Sequence, residues 1–357
     1  MYRLVTDAPG QEAELLDLYK QFYPADKAAS APDIRHRFAR VCGGWQNEIG
    51  IDGRKYAYFY AVDARAADDA LLAKRLEKRA AKLALYRSLA DFSGLALPWG
   101  SLTGIRPTKL AYELLSEGIR PEALADTLCE RYDVSPEKAA LTARIVRAQA
   151  GYLTQDETRY NLYLHVPFCT TKCRYCSFIS ETADRAAALI PGYVELLRRE
   201  TAAALSLIEK KGGRLFSVYV GGGTPTALSA GQLDAVLGEI PLSGIECTVE
   251  AGRPDTITQE KLAVLSARGV SRVCVNPQTF HDDTLIGMGR GHTVADFYRA
   301  YELARRFGFS LNLDLIAGLR GETAADFLHS LSCAAALAPE NLTIHTLSRK
   351  RGAGLYG

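Results

Sequence analysis

The strongest constraint on the fold is a regular alternation of short apolar runs and amphipathic segments that starts near Tyr160. Each apolar run has the length of a strand, and the segments between them have the spacing of helices. This alternation is typical of a parallel sheet whose strands are joined by helices. The predicted strands are 162–167, 217–221, 246–251, 272–276, 310–317 and 342–347. We therefore expect an α/β domain over residues 159–357, built as an open or closed parallel barrel.

The helices of this region carry clear boundary signals. Thr293 is predicted to open a helix that ends before Gly308, and Gly269 follows another. The chain stops soon after the sixth predicted strand and leaves no room for the helix that should cover it. We expect the domain to be truncated after that strand.

Residues 1–158 follow a different pattern. A strand over 2–6 leads to a helix over 11–22, and residues 47–62 predict a hairpin turned at Asp52-Gly53. A long helix is predicted over 71–92, followed by the turn-rich stretch 97–109, after which helices resume. These elements predict a small α+β accessory domain.

The predicted helix 71–92 has a strongly basic polar face. The cations on it are Lys74, Arg75, Lys78, Arg79 and Lys82. We interpret this run as a solvated helix face, with a polyanion site as the alternative.

Charge and hydropathy exclude several partners. Lys and Arg total 43 against 41 Asp and Glu, and a net charge of +2 gives no field that argues for nucleic acid or an anionic membrane. The sequence also lacks an apolar stretch of the ~20 residues that a membrane span needs, and its N-terminus lacks the pattern of a signal peptide. We predict a cytoplasmic protein without a membrane span.

Three of the eight cysteines cluster, which is typical of metal ligands and not of a disulfide framework. They are Cys169, Cys173 and Cys176, in the segment HVPFCTTKCRYCSF that ends the first predicted strand. The spacing lets three thiolates converge, whereas four close off a cubane cluster or a structural zinc, so one coordination position would stay open. The alternatives are a zinc site completed by a distant His and a chance cluster. The other cysteines are predicted to be small core residues: Cys42, Cys129, Cys247, Cys274 and Cys333.

Most of the other predicted strands end in glycine or polar residues. The second runs into Gly221-Gly222-Gly223-Thr224-Pro225, where the absence of side chains permits close approach of a ligand. The later strands end at or carry Glu250, Asn276, Gln278, Asp314 and His345. Because parallel strands end at one edge of the sheet, we expect a polar cup that faces the cysteine loop. Taken singly, Asp314 could instead brace a loop, and His345 could be a core histidine.

These motifs resemble one protein family. Residues 160–351 resemble the oxygen-independent coproporphyrinogen III oxidase family of radical S-adenosylmethionine (SAM) proteins through YLHVPFCTTKCRYCSF, GGGTPTAL, VEAGRPDTI, VNPQTFHDDTLIGMGRGHT and LNLDLIAGLRGE. The N-terminal segment LPWGSLTGIRPTKL resembles the branch called coproporphyrinogen dehydrogenase HemZ. The resemblance implies a radical SAM partial (β/α)6 barrel with an N-terminal α+β domain.

The resemblance also implies the cofactors and the residues that bind them. Cys169, Cys173 and Cys176 would hold a 4Fe-4S cluster, and SAM would chelate its open iron. Tyr163 would lie beside the cysteine loop. The residues expected to line or contact SAM are Gly222, Gly223, Thr224, Glu250, Gln278, Arg290 and Asp314. Tyr163 and Glu250 are the candidate catalytic residues.

In this family, an electron from the cluster cleaves SAM to methionine and a 5′-deoxyadenosyl radical. In the oxidase, the radical takes hydrogen from a propionate of coproporphyrinogen III, which loses carbon dioxide and becomes a vinyl group. The resemblance thus implies an oxidoreductase of porphyrin and heme biosynthesis, with a porphyrinogen substrate and an external electron donor and acceptor. Substrate propionates need cationic partners, and the candidates are Arg349, Lys350 and Arg351, which could equally be solvated charges.

Two features depart from the family pattern. Phe178 occupies the position at which characterised oxidases carry a fourth cysteine, and the N-terminal arm rich in Tyr, Pro and Thr is not found. Both departures resemble the haem-chaperone members of the family. Two alternatives therefore stay open: a haem-binding or haem-delivery protein, and a radical SAM enzyme that acts on another substrate.

Overall fold

The computed structural model describes residues 2–63, 66, 69–103, 106–152, 156–348, 350 and 352–354. The chain divides into two compact units, residues 1–155 and 156–357. Within the described residues, no helix has the length and apolar character needed to cross a bilayer.

The first unit contains a four-stranded sheet and five helices in the residues that the structure describes. Its elements are β1 (Leu4–Thr6), α1 (Glu12–Phe22), β2 (Ile34–Val41), β3 (Gly44–Ile51), β4 (Arg54–Ala61), α2 (Ala70–Ser93), α3 (Pro107–Ser116), α4 (Leu124–Tyr132) and α5 (Pro136–Gln149). The sheet order is β1-β2-β3-β4, with β1 parallel to β2 and the remaining pairs antiparallel. The turn between β3 and β4 has positive φ at Asp52 and Gly53, which fits the hairpin predicted there.

The helices α1 and α2 share an apolar core with this sheet, and it includes Leu15, Phe22, Ile49 and Leu85. The sequence prediction missed β2, whose outward side chains are largely cations and hide the strand pattern. It was also wrong for Cys42, which is exposed because it lies in the turn between β2 and β3.

The second unit is built around a six-stranded sheet. Its elements are β5 (Arg159–Val166), β6 (Phe168–Cys169), β7 (Glu181–Thr182), α6 (Ile190–Lys210), β8 (Arg214–Gly222), α7 (Ala230–Leu237), β9 (Glu246–Val249), α8 (Gln259–Ala267), β10 (Arg272–Cys274), α9 (Asp282–Gly287), α10 (Val294–Arg306), β11 (Ser310–Ala317), α11 (Ala324–Ala336) and β12 (Asn341–Thr346). The spatial order β5-β8-β9-β10-β11-β12 is the sequence order, and all neighbours are parallel. The predicted six-stranded parallel α/β fold is confirmed.

One face of this sheet packs against the helices. Leu164 and Val166 of β5 and Val218 of β8 are buried in a core that includes Val194 of α6 and Phe297 of α10. The helix predicted after Thr293 is present as α10, and Thr293 closes a capping box with Asp296. Because side chains alternate along a strand, Tyr163 and His165 lie on the opposite face of the sheet, away from this core.

Candidate functional site

A cavity of about 340 Å³ lies at the carboxyl edge of the six-stranded sheet. It is lined by the cysteine loop and by residues that end or follow β8, β9, β10, β11 and β12. In parallel α/β folds, this edge is where ligands bind. The predicted residues that line it are Cys169, Cys173, Cys176, Gly222, Gly223, Thr224, Glu250, Gln278, Arg290, Asp314 and His345.

The cysteine loop is braced from two sides. At its start, β6 pairs with β7, and the backbone N–H of Ala183 donates to the carbonyl of Cys169 at 2.8 Å. Further along, the backbone N–H of Arg174 donates to the carbonyl of Met288 at 2.9 Å. The Thr171 hydroxyl donates to the carbonyl of Gly289, also at 2.9 Å. These bonds fix the path of the loop and therefore the positions of its thiols.

The glycines after β8 allow the loop to approach the sheet. A Cβ on Gly223 would lie 2.6 Å from the carbonyl oxygen of Phe168 and 3.0 Å from the Cys169 sulfur. Gly222 has φ +112°, and its Cβ would lie 2.6 Å from Nδ1 of His165. The next residue continues the contact, because the Thr224 N–H donates to the carbonyl of Phe168 at 2.7 Å. Here the glycine run makes room for the chain's own cysteine loop.

Cys173 is the buried member of the triad, and a buried arginine contacts it. The Nη1 atom of Arg253 lies 3.4 Å from the Cys173 sulfur and 3.2 Å from the carbonyl of Thr171. Its Nε donates to Asp255 at 3.1 Å. An N–H group and a positive charge beside a thiolate both stabilise the thiolate form. Sequence reasoning missed Arg253, although it lies inside the quoted motif VEAGRPDTI.

Arg290 forms a second buried contact behind the loop. Its Nη1 donates to the hydroxyl of Tyr175 at 2.8 Å, and its Nη2 donates to the carbonyls of Gly252 and Asn276 at 2.8 and 2.9 Å. Burial raises the pKa of Tyr175. One guanidinium thus ties Tyr175 of the cysteine loop to the segments that follow β9 and β10, whereas the sequence had suggested Arg290 only as a SAM contact. The structure adds Tyr175, between two of the cysteines, to the site.

Glu250 directly follows β9 and lines the cavity. The Tyr219 hydroxyl donates to it at 2.5 Å. Burial raises the pKa of Glu250 and the nearby Asp314 carboxylate adds to the effect, while the Tyr219 hydroxyl and the Gly222 N–H oppose it. A cation bound beside Glu250 would relieve the repulsion between the two carboxylates.

Tyr163 does not line this cavity. Its ring stacks on Tyr219 with centroids 6.0 Å apart, and its side chain is largely exposed on the open face of the sheet. Through Tyr219 it is linked to Glu250, but it is separated from the cysteine loop by the last residues of β5.

The polar groups of β10 and β11 are held in fixed orientations. Asp314 accepts from the amide of Asn276 at 2.7 Å and from that of Asn312 at 2.8 Å, and His345 Nε2 lies 3.8 Å away. Gln278 has φ +68°, a conformation that costs on the order of 1 kcal/mol and that its backbone bonds to Asp314 and Ile316 maintain. These bonds hold the backbone of Gln278, whose side chain lines the cavity.

Two buried oxygens at this site have no hydrogen-bond partner among the residues that the structure describes: Oδ1 of Asn276 and Oε1 of Gln278. Buried acceptors are rarely left unpaired, so their presence in a cavity points to a ligand that donates hydrogen bonds. SAM fits, because its ammonium group and its adenine amine both donate hydrogen bonds. Within the described residues, no group of three or more His, Cys, Asp or Glu is arranged to hold a single metal ion. In a cubane cluster, by contrast, each thiolate binds its own iron.

Comparison with known proteins agrees with this chemistry. Residues 163–334 match the model of the radical SAM superfamily. The chain is 39% identical over 275 residues to the oxygen-independent coproporphyrinogen-III oxidase-like protein HemZ of Bacillus subtilis, covering 74% of this chain and 54% of that protein. It is 36% identical over 198 residues to the haem chaperone HemW of the same organism, covering 52% of this chain and 49% of that one. The chain thus spans about half the length of these relatives.

A solved structure shows the same fold. The coproporphyrinogen III oxidase HemN of Escherichia coli, described as a radical SAM enzyme, superposes with a TM-score of 0.51 at 24% identity, over 59% of this chain and 49% of that one. Radical SAM proteins use a 4Fe-4S cluster and SAM. Residues 163–334 therefore form a radical SAM domain, and the chain is similar to the HemZ and HemW proteins.

Proposed function

We propose that this chain is the radical SAM part of an enzyme that oxidatively decarboxylates the propionates of coproporphyrinogen III to vinyl groups. The similarity to HemZ carries the proposal, because it covers 74% of the chain, more than the second unit can supply alone. The matched part of HemW is about as long as the second unit. The similarity to the oxidase-like protein therefore extends beyond the second unit into the first. The proposal places the reaction in the cytoplasm, a reducing compartment that suits eight free cysteines.

Each group of residues that lines the cavity would have its own role. Cys169, Cys173 and Cys176 would hold the cluster, and Gly222, Gly223 and Thr224 would line SAM beside the loop. Glu250, Asp314 and the free oxygen of Gln278 would accept hydrogen bonds from its ammonium group and its adenine amine, and the two carboxylates would favour its positive charges. The cluster and SAM, when bound, supply the one-electron cleavage that yields a 5′-deoxyadenosyl radical. The protein orients these groups and excludes water from them.

The substrate would enter from the open side of the cavity. Lys350 lines that side and is a cationic partner for a propionate; Arg349 and Arg351 lie outside the described residues. Each propionate would lose one hydrogen atom, then carbon dioxide and one electron, so the reaction needs an external acceptor for that electron as well as a donor for the cluster. Tyr163, stacked on Tyr219, would face the substrate from the sheet.

An anaerobic turnover assay tests this proposal. The reconstituted chain is incubated with dithionite, SAM and coproporphyrinogen III, and products are oxidised and separated as porphyrins. We expect monovinyl and divinyl products, with one 5′-deoxyadenosine formed per propionate consumed. Cleavage of SAM that porphyrinogen does not stimulate would contradict the proposal and favour another substrate.

Haem delivery is the second candidate. It is favoured by the similarity to HemW and by Phe178 at the position where oxidases carry a cysteine. It predicts stoichiometric haem binding and no decarboxylation in the same assay.

A further inference from the structure

The first unit contains a basic cavity of about 460 Å³ that the proposed reaction does not use. One side is a single face of α2, with cations at the helical spacing of Arg75, Lys78, Arg79 and Lys82. The other side is the start of α3, with Arg106 and Lys109. The basic run of α2 is therefore not simply a solvated face, because four of its five cations surround a concave site.

The cavity has an excess of positive charge. Its walls carry six cations and two carboxylates, Glu14 and Glu113. Glu113 is shared by Arg75 at 2.5 Å and Arg79 at 3.2 Å. Glu14 pairs with Lys78 at 2.6 Å. Lys82, Arg106 and Lys109 form no ion pair with the residues that the structure describes, and the described lining of the cavity carries four more cations than carboxylates.

Lys82 is the most confined of these cations. Its Nζ donates to the carbonyl of Thr103 at 3.1 Å. Burial lowers its pKa, and the charges of Lys78 and Arg79 contribute in the same direction. A bound anion would offset both effects and stabilise the charged amine.

The N-terminus of α3 adds a second, independent attraction for anions. Its N-cap residue Arg106 makes no side-chain capping bond, and the first turn of the helix contains no acidic residue. The positive end of the helix dipole is therefore left uncompensated beside the cations.

An aromatic cavity of about 290 Å³ adjoins the basic one. Its lining includes the aromatic side chains of Trp45, Tyr60 and Tyr132 and several aliphatic ones, with Asp63, Glu117 and Arg131 as its other charged residues, and it shares Arg79 and Lys82 with the basic cavity. Arg79 joins the two, because its Nη1 donates to the Tyr132 hydroxyl at 3.1 Å while its guanidinium lies 5.5 Å from the centroid of that ring. Arg79 and Lys82 therefore lie at the boundary between the aromatic cavity and the basic cavity.

We propose that the first unit binds a small molecule with a flat apolar body and several acid groups, with the body in the aromatic cavity and the acids in the basic one. Tetrapyrrole carboxylates and nucleotides share this chemistry. The inference does not depend on the reaction proposed for the second unit, since every residue it uses belongs to the first.

Calorimetric titration of the full chain with coproporphyrin III, ATP and pyrophosphate tests it. The test variant is Arg106→Glu/Lys109→Glu. The matched control is Arg37→Glu/Lys55→Glu, two exposed cations of the same unit outside both cavities. We expect coproporphyrin or ATP to bind more tightly than pyrophosphate, and the test variant to weaken that binding by at least about tenfold, while the control leaves it unchanged. The tighter probe identifies the source of the ligand.

The milder pair Arg106→Gln/Lys109→Gln should give a smaller loss in the same direction, and it serves if charge reversal perturbs folding. Equal affinity in the wild type and both cavity variants would overturn the proposal, as would an equal loss in the control. Absence of binding for all three probes at millimolar concentration would overturn it as well.

Discussion

The two walls of the cavity at the carboxyl edge of the sheet differ in the burial and the hydrogen bonding of their side chains. On the cysteine side, Cys173, Arg253 and Arg290 are buried, and each guanidinium donates to several partners. On the open side, Phe178 is 58% exposed and the His345 side chain 55%. The loop geometry is therefore fixed by the chain's own contacts, whereas the side chains of the open wall are exposed to solvent. Substitutions on the two walls should therefore have different consequences.

The largest effect is expected for Cys173→Ala. Removing one of three thiolates should abolish most of the bound iron and reduce SAM cleavage at least about 100-fold. Iron content and 5′-deoxyadenosine formation measure this. Cys42→Ala is the control, because that thiol is exposed in the first unit, and it should retain its iron. Full iron in Cys173→Ala would show that the cysteine loop is not the cluster site.

Gly223→Ala should be nearly as damaging. Its Cβ would overlap the Phe168 carbonyl and press on the Cys169 sulfur. Such overpacking costs about 1–3 kcal/mol, so we expect a lower melting temperature and loss of most bound iron. Gly231→Ala is the control, since a Cβ there meets open space in α7. Similar iron retention in both variants would contradict the close packing of the loop on β8.

Arg253→Gln should change the midpoint potential of the cluster more than the amount of cluster that is bound. Loss of the positive charge 3.4 Å from Cys173 disfavours the reduced cluster. We expect the midpoint potential, from redox titration normalised to iron, to fall by on the order of 50 mV. Arg272→Gln is the control, because Arg272 lies at the amino ends of the strands, where it pairs with Glu246. It should leave the midpoint potential unchanged. An unaltered potential in Arg253→Gln would mean that the guanidinium only braces the loop.

The smallest effect is expected on the open wall. Phe178→Ala should leave iron content and melting temperature nearly unchanged, because an exposed side chain contributes within about 0.5 kcal/mol, and should lower porphyrinogen turnover by less than tenfold. Ile179→Ala is its control, since Ile179 is more exposed and does not line the cavity. Loss of iron in Phe178→Ala would remove the distinction between the two walls.

The sequence predicted the second unit well because the pattern of its strands and helices is local and repeats along the chain. Each strand reads as a short apolar run, and parallel strands must end at one edge, so the residue pattern alone assigns Glu250, Gln278 and Asp314 to one site. The cysteine spacing predicted the loop in the same way. Six strands were found in the predicted order.

What the sequence did not show depends on contacts between distant segments. Arg253 reaches Cys173 across 80 positions of the chain, and no spacing rule encodes that contact. Tyr163 belongs to the motif next to the cysteines, yet strand alternation turns it to the open face. The basic face of α2 was correctly located, but only the packing of α3 against it creates a cavity.

We propose that the three cysteines hold a 4Fe-4S cluster with one iron open to SAM. Electron paramagnetic resonance of the anaerobically reconstituted, dithionite-reduced chain, before and after SAM addition and with iron and zinc counted on the same sample, tests it most directly. The account predicts about four irons per chain and a reduced-cluster signal that shifts when SAM is added. Zinc in place of iron, or a cluster signal indifferent to SAM, would contradict it.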